Sequence, residues 1–446
     1  MGIVDELLNA GIAFCDADNP NKATHAPVTL HPTPFPLKKF AQATSLQPLF
    51  NELIYQCVQQ RHLLEDVCRD LISSAKKDEF VDALFGIWER CQFKSPEIFF
   101  NISRSDYMLD EHARLEPKLC QVELNTVSVS LAGLSTRVSH WHKARLSFNE
   151  QQAMPDNDAI DKIAAGFSEA LRVYAATFQV PFESLHIAMV VHPKERNVYD
   201  QNSLIEAIDL PGQIHKVHLT DTMTVDPLSG RLLWNDKEIA IVYYRTGYDP
   251  SDYVDQACWD FRLTIEQSRA IKCPDIAAHL AGLKKLQQIL CQDEQLCKII
   301  VDAEKRAALQ ACFTGIYSLD NVEAVSRAKQ APANFVLKPQ REGGGHNYYN
   351  DQVRDALIHL SADELQSFVL MERIRPHPRI TSIIKNNHLF ENVSTISELG
   401  IYGVVLMAPN VCINYAAGHV LRTKPDTSDE GGVVAGFSAL DSVILV

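Results

Sequence analysis

The chain has 446 residues, 46% hydrophobic and 22% charged, with a formal net charge of −14. That composition is globular, long enough for two or three units around large cores, and it excludes fibrous and disordered classes. The acidic balance argues against a general nucleic-acid binder, whose phosphates demand basic surface, but it leaves room for a local basic pocket around a small anion.

The eleven cysteines are odd in number and scattered. They form no CxxC and no Cys/His cluster with zinc spacing, which predicts reduced thiols in a cytosolic protein. The opening MGIVDELLNAGIAF lacks a basic segment followed by a long apolar core, so it does not read as a signal peptide. No run approaches the ~18 apolar residues that a membrane span requires.

In chain order, residues 25–40 carry four prolines and read as an extended connector, a strap over the surface. Residues 45–73 place apolar side chains at three and four spacing, a helical pattern that VDALFGIWERC continues. From residue 97 the pattern becomes strand-like in EIFFNISRSDYML and CQVELNTVSVS, followed by a helix in DAIDKIAAGFSEALRVYAATF. SLHIAMVVHP, residues 184–193, is a buried strand, and RLLWNDKEIAIVYYRTGYDP a hairpin turning at Asn235-Asp236. A helical block over 253–290 precedes four late strands, in FVLKP, SFVLMERI, TISELGIYGVVLMAP and NVCINYAAGHVLRTK. Strands interleave with helices throughout, so the class is α/β or α+β.

Three common nucleotide or nucleophile signatures (GxxxxGK[ST], GxGxxG and GxSxG) are absent. The chemistry must come from elsewhere. Alternate side chains of a strand share a face, so Glu123 and Asn125 point one way, with Ser128 and Ser130 together just beyond. A carboxylate beside an amide oxygen suits a hard cation such as Mg²⁺; the plain alternative is half-exposed strand polarity. Arg104 and Asp106 align in the same manner, which a local ion pair would explain equally. Lys338 ends an apolar strand beside Glu342 and the glycines Gly343, Gly344 and Gly345. It is placed to reach phosphate oxygens, with Glu342 supplying a metal oxygen, or the two simply pair with each other. Arg422 and Lys424 share a strand face before a second flexible segment, Gly431-Gly432; the alternative is a solvated edge strand. Glu398 sits inside an apolar strand and needs a partner there. Jointly these residues suit nucleotide phosphates with bridging Mg²⁺ under mobile glycine-rich covers.

Nine segments, taken together, closely resemble motifs of the eukaryotic glutathione synthetases of the ATP-grasp superfamily, in the same order. They are SRSDYM (103–108), VELNTVSVSLAGL (122–134), KERNVYDQ (194–201), YYRTGY (243–248), KCPDIAAHLAGLKKLQQ (272–288), FVLKPQREGGGHN (335–347), LMERI (370–374), SELGIYGV (397–404) and LRTKPDTSDEGGVVAG (421–436). The resemblance implies a circularly permuted ATP-grasp fold with mobile glycine-rich lids. Its parts would be an N-terminal core over 1–182, an inserted substrate-binding unit over 183–285 and an ATP-binding core over 286–446. It implies Mg²⁺ ligands at Glu123, Asn125 and Glu342. It implies ATP contacts at Glu123, Lys284, Lys338, Glu342, the three glycines, Asn347, Tyr349, Met371, Glu372, Arg373, Ile374, Glu398, Lys424 and Glu430. Substrate contacts would be Arg104, Ser128, Ser130, Glu195, Asn197, Gln201, Arg245, Tyr248, Arg422, Val433 and Val434. Arg104 and Arg422 would be catalytic.

The activity so implied joins γ-glutamylcysteine to glycine in a homodimeric ligase, with ATP as co-substrate and an acyl phosphate on the path. Two departures stand out. The family commonly has Gly-Gly-Val-Ala-Ala-Gly where this chain has GGVVAG, placing Val434 for an alanine at the acceptor end. His346 stands where asparagine is expected. A diverged ligase with another acceptor amine and a non-catalytic binding protein of the same fold therefore remain as alternatives.

Overall fold

The structure is a computed structural model that describes residues 2–16, 19, 21–73, 78–91, 98–112, 115–340 and 347–446. Glu342, Gly343, Gly344, Gly345 and His346 lie outside these residues. The class is mixed α/β, with several sheets among helices.

A seven-stranded sheet forms the platform. Its spine is the long antiparallel pair His388–Ala408 and Val411–Pro425. Phe99–Asp110 pairs with the first of these, and Lys118–Asn125 continues outward. On the other side lie Ala439–Asp441, Val28–Thr29 and Arg379–Lys385. The strand Val411–Pro425 is therefore flanked on both sides, and Arg422 and Lys424 do not sit on a solvated edge.

The helix Leu37–Gln59 turns Leu46, Phe50, Leu53 and Ile54 to the interior. Gln47 and Asn51, both fully buried, bond each other and the Ser103 hydroxyl, while Gln47 Oε1 finds no hydrogen-bond partner among the described residues. A Cβ at Gly403 would lie 2.1 Å from Asn51 Oδ1. Glycine is required there for the helix to approach the sheet.

A second sheet draws all its strands from residues 185–273. Leu185–Val190, Ile214–Val217, Lys237–Tyr244 and Ile271–Cys273 run parallel, with helices in the crossovers. The expected hairpin is present: Leu232–Trp234 pairs with Lys237–Tyr244. Asn235 and Asp236 both have positive φ, as a two-residue turn of the favoured twist demands. A third, four-stranded sheet contains Phe335–Pro339 and Phe368–Glu372, packed on the helices Val322–Gln330 and Asp351–His359.

Three expectations need correction. Residues 25–40 are no surface strap. Val28–Thr29 and Thr33–Phe35 enter two sheets, and Thr29 and Thr33 are held by the buried Asp441 at 2.7 and 2.6 Å. The prolines are tolerated because the strands are only two or three residues long, Pro34 sits within the short Thr33–Phe35 strand of a two-stranded sheet, and the helix begins only at Leu37. The strand predicted over 120–130 stops at Asn125, and Ser128 turns with φ of 51°. The helical block 253–290 is interrupted by the strand Ile271–Cys273. The eleven cysteines are all free thiols, as the sequence suggested. Among the described residues no helix is long and apolar enough to cross a membrane.

Candidate functional site

Antiparallel register decides which side chains share a face. Arg104 lies opposite Asn125 and Tyr402, and Asp106 opposite Glu123 and Gly400. Glu398 lies opposite Arg422, and Ile396 opposite Lys424. Four strands thus deliver Arg104, Asp106, Glu123, Asn125, Glu398, Arg422 and Lys424 to one side of the sheet. A Cβ at Gly400 would lie 2.6 Å from Asp106 Oδ1 and 2.7 Å from Arg104 Cδ. The glycine of the SELGIYG segment makes room for that ion pair.

Over this face opens a cleft of about 560 Å³. Its walls come from the platform, from the Val127–Leu131 turn, from the four-stranded sheet and from the loop 428–435. Most of the predicted residues line it: Arg104, Glu123, Asn125, Ser128, Ser130, Tyr248, Lys338, Asn347, Tyr349, Met371–Ile374, Glu398, Arg422, Lys424, Glu430, Val433 and Val434. Ser128 and Ser130 reach it from a turn rather than a strand. Arg196, within the KERNVYDQ segment, lines it as well, although nothing in its local pattern singles it out.

Asp106 is the residue that sequence reasoning undervalued. Completely buried, it accepts two bonds from Arg104, at 2.6 and 2.8 Å, one from Arg422 at 2.9 Å and one from Asn125 at 2.8 Å. Arg422 also contacts Glu398. One carboxylate therefore orients both candidate catalytic guanidiniums and the candidate metal ligand Asn125. The pairing of Arg104 with Asp106 was visible as a local alternation; the convergence of Asn125 and Arg422 on it was not.

Burial alone would raise the Glu123 carboxyl, but the charges of Lys284, Lys338, Arg422 and Arg104 hold it down to about 2. Glu398 is pushed the other way by burial, aided by Asp106 and Glu123 against the Arg422 charge. Burial lowers Lys424, opposed by Glu398, Asp429 and Glu430. Lys338 donates to the Val122 carbonyl at 3.3 Å, beside Glu123. Glu123 is thus ionised at any physiological pH, and Asn125 Nδ2 lies 3.3 Å from its Oε1. A permanently charged carboxylate beside an amide fits a hard cation that takes its remaining oxygens from phosphates. Among the described residues no group of three His, Cys, Asp or Glu is poised to hold a metal alone.

Lys284, Glu195, Asn197, Gln201 and Arg245 do not line this cleft. Lys284 is buried at the start of the helix Lys284–Leu290 and acts on Glu123 through its charge. The other four form a cluster beside the cleft. Glu195 accepts from the Asn197 backbone N–H at 2.6 Å and from Gln201 Nε2 at 3.0 Å. Arg245 bonds Asp200 at 2.9 Å, and its carbonyl accepts from the Ser128 hydroxyl at 2.8 Å. Asp200 also accepts from the backbone of Leu131 at 2.9 Å and Gly133 at 2.8 Å. It thereby caps the helix Ala132–Lys143 from a different helix and fixes the turn that carries Ser128 and Ser130. Among the described residues, Asn197 Oδ1, Gln201 Oε1 and Arg245 Nε are buried and find no hydrogen-bond partner. A buried polar atom of this kind calls for a partner such as water, an ion or a ligand.

A family model described as the ATP binding domain of eukaryotic glutathione synthase matches residues 4–445. A chloroplastic glutathione synthetase of Solanum lycopersicum is 39% identical, covering 100% of this chain and 85% of the relative. The glutathione synthetases of Rattus norvegicus and Homo sapiens are each 36% identical, covering 98% of this chain and 94% of theirs. A solved structure of a glutathione synthetase-like effector from Globodera pallida, in its apo form, superposes with a TM-score of 0.79. It is 20% identical and covers 99% of this chain and 95% of that one, a likeness of fold.

Proposed function

Because the chain belongs to the eukaryotic glutathione synthase family, we propose that its cleft joins γ-glutamylcysteine to glycine, with ATP converted to ADP and phosphate. The observation that carries this reading is the single sheet face bearing Glu123, Asn125, Arg104, Arg422, Glu398 and Lys424 opposite Lys338 and the segment Met371–Ile374.

Such a reaction makes two demands. The cysteinyl carboxylate must attack the terminal phosphorus of ATP, releasing ADP and leaving an acyl phosphate. The glycine amine must then attack the acyl carbon, losing a proton and expelling phosphate. Neither step needs a protein nucleophile; both need concentrated positive charge and exclusion of water. Lys338 and Lys424 supply charge to the phosphates as point cations, and Met371–Ile374 supplies a strand edge for the adenine. Arg104, with Asp106 fixing its plane, offers donors to the oxygen that becomes negative as the amine adds. Glu123 and Asn125, with Glu342, would hold Mg²⁺, which when bound neutralises phosphate charge.

Asn197, Gln201 and Arg245 serve the γ-glutamyl end of the substrate through their unfilled polar atoms, with Glu195 holding Asn197 and Gln201 in place. The reading also takes the fold as a permuted ATP-grasp arrangement, the 183–285 unit as its substrate arm and both glycine-rich segments as covers. Like the family, the chain would work as a homodimer.

Mixing the protein with ATP, Mg²⁺, γ-glutamylcysteine and glycine should release ADP and form the tripeptide. Turnover with β-alanine or serine but not glycine would move the assignment to another acceptor, with Val434 as the first residue to revert. No product with any amine would end the ligase reading.

A further inference from the structure

A second cavity, of about 380 Å³, opens beside the segment Met371–Ile374. It shares Glu372 and Arg373 with the cleft and none of the cleft's other lining residues. Its remaining walls come from the end of the strand Phe99–Asp110, the helix Val322–Gln330 and the turn Pro332–Asn334. Arg373 lines it but commits its guanidinium to the cleft, where it meets Asp429 at 2.6 Å. Two other guanidiniums keep donors for the cavity. Arg375 is half-buried and contacts the Asn334 amide oxygen, and among the described residues it makes no ion pair. Arg327 lies over the rings of Tyr317 and Phe335, 5.3 and 5.5 Å from their centroids, and reaches Glu372 only at 3.5 Å. The cavity's two carboxylates are already answered by donors of their own. Asp110 Oδ1 accepts from the Arg375 backbone N–H at 3.3 Å, and Glu372 Oε1 accepts from the Tyr317 hydroxyl at 2.8 Å.

We propose that this cavity is a binding site for a phosphate group, carried by inorganic phosphate or by a small phosphate monoester, and separate from the phosphate positions of the cleft. A half-buried guanidinium without a counter-charge gains most from an anion. Arg375 and Arg327 each present a planar fork of donors that matches two phosphate oxygens, and both are pre-set: Arg375 by Asn334, Arg327 by the two aromatic rings. Asn334, whose oxygen holds Arg375, keeps its amide nitrogen as a further donor. A chain of net charge −14 repels anions from most of its surface, so a concave spot with two unsated guanidiniums is where a phosphate would concentrate. The same carboxylates argue against a metal cation, since both already accept from protein donors. The anion would also be joined to the nucleotide end of the cleft, because the Asn334 carbonyl accepts from the Arg373 backbone N–H at 2.8 Å.

The test is equilibrium dialysis of the full chain against radiolabelled inorganic phosphate, with Mg²⁺ and an ATP analogue that resists hydrolysis filling the cleft. One phosphate per chain should be retained. R375Q and R327Q should each weaken retention about tenfold, a change of ~1.4 kcal/mol, and the double variant should lose it, with thermal transitions unshifted when phosphate is absent. Arg375 lies over no ring among the described residues, so R375Q decides alone if R327Q shifts its transition. R69Q, which alters an exposed arginine elsewhere, should retain phosphate as the wild-type chain does. Glycerol 3-phosphate in place of phosphate separates the two sources: tighter retention identifies a monoester and weaker retention free phosphate, and both support the site. No retention of either compound overturns it. So does a double variant that retains phosphate as well as the wild-type chain, which would leave solvated surface arginines only. Retention is read without turnover, so a chain that forms no peptide ends the ligase reading and leaves this result standing.

Discussion

The charged centre on the platform and the loop facing it share one cleft but are held by opposite means. At the centre, Asp106 is 0% and Arg104 6% exposed, and strand register sets every side chain. Facing it, Asp429 of the loop pairs with Arg373, both about one-third exposed, and side-chain bonds join a few backbone bonds in placing the segment. A rigid centre keeps its donors aimed at charge before that charge develops. A loosely tied cover can release product. The comparison teaches that the proposed reaction would use both and that this chain separates them: buried ion pairs on strands, a partly exposed one on the segment after Lys424.

The sharpest way to break the comparison is Asp106→Ala. It strands two buried guanidiniums, so activity should vanish and stability should fall by roughly 3–5 kcal/mol, read by denaturant unfolding. Unchanged stability would mean that the centre is not rigidly wired. Next comes Glu123→Gln, which removes a charge that the site holds ionised. Turnover should drop about 10²–10³-fold, on the scale of losing one charge-stabilising group, and raised Mg²⁺ should recover some of it. Full activity would remove Glu123 from the metal reading. Asp200→Asn leaves Arg245 and the Ala132–Lys143 helix cap half satisfied. A loss of about 1–3 kcal/mol with a raised KM for γ-glutamylcysteine is expected; a raised KM for ATP instead would put Asp200 at the wrong end.

Acidification probes the core behind both regions. Burial lowers His142 and His419 to about 4 and His279 to about 3. Each is neutral when folded and protonates near 6.5 when unfolded, so the stability it contributes is present above that value and is lost as pH falls toward 4. His142 shows why: one ring nitrogen lies 2.9 Å from Ser442 Oγ and the other 2.9 Å from the Thr29 carbonyl, a pattern that a single tautomer satisfies. Asp275, raised by burial to about 6, works in the opposite sense, since the folded chain takes up its proton first. Glu398 and Asp441, also raised by burial, act with Asp275, while His186 and His215, also lowered by burial, act with the three histidines; the balance predicts a net loss on going from pH 7 to 5, on the order of 2 kcal/mol for each of the three most buried histidines. A melting temperature that does not move over that interval would contradict it. The smallest effect is reserved for a surface pair remote from the cleft: Arg145→Ala, which removes an exposed bond to Glu6, should cost less than ~1 kcal/mol and leave turnover untouched.

How much of this was legible beforehand follows from the distance over which each feature is decided. Period-two alternation placed Glu123 with Asn125 and Arg422 with Lys424, because a strand settles that locally. The strand-helix order gave the mixed class, and the hairpin at Asn235-Asp236 was written in its two turn residues. Asp106 as a shared anchor was not legible, since it depends on register among residues 106, 125 and 422. Asp200 is similar: a carboxylate that caps another helix leaves no signature near itself. Residues 25–40 misled because prolines usually bar strands, whereas here Val28–Thr29 fits between two of them and Thr33–Phe35 takes Pro34 into a two-stranded sheet, both tied to Asp441. The end of the strand at Asn125 was hidden by β-branched residues that continue the alternation into a turn.

The central claim is that this cleft activates a carboxylate by phosphorylation and hands it to an amine. The most direct measurement supplies γ-glutamylcysteine carrying heavy oxygen in its cysteinyl carboxylate, with unlabelled ATP and glycine, and follows the label by mass spectrometry. An acyl phosphate path predicts that each peptide bond formed delivers one labelled oxygen to inorganic phosphate. Peptide formed with no label in the phosphate would contradict it.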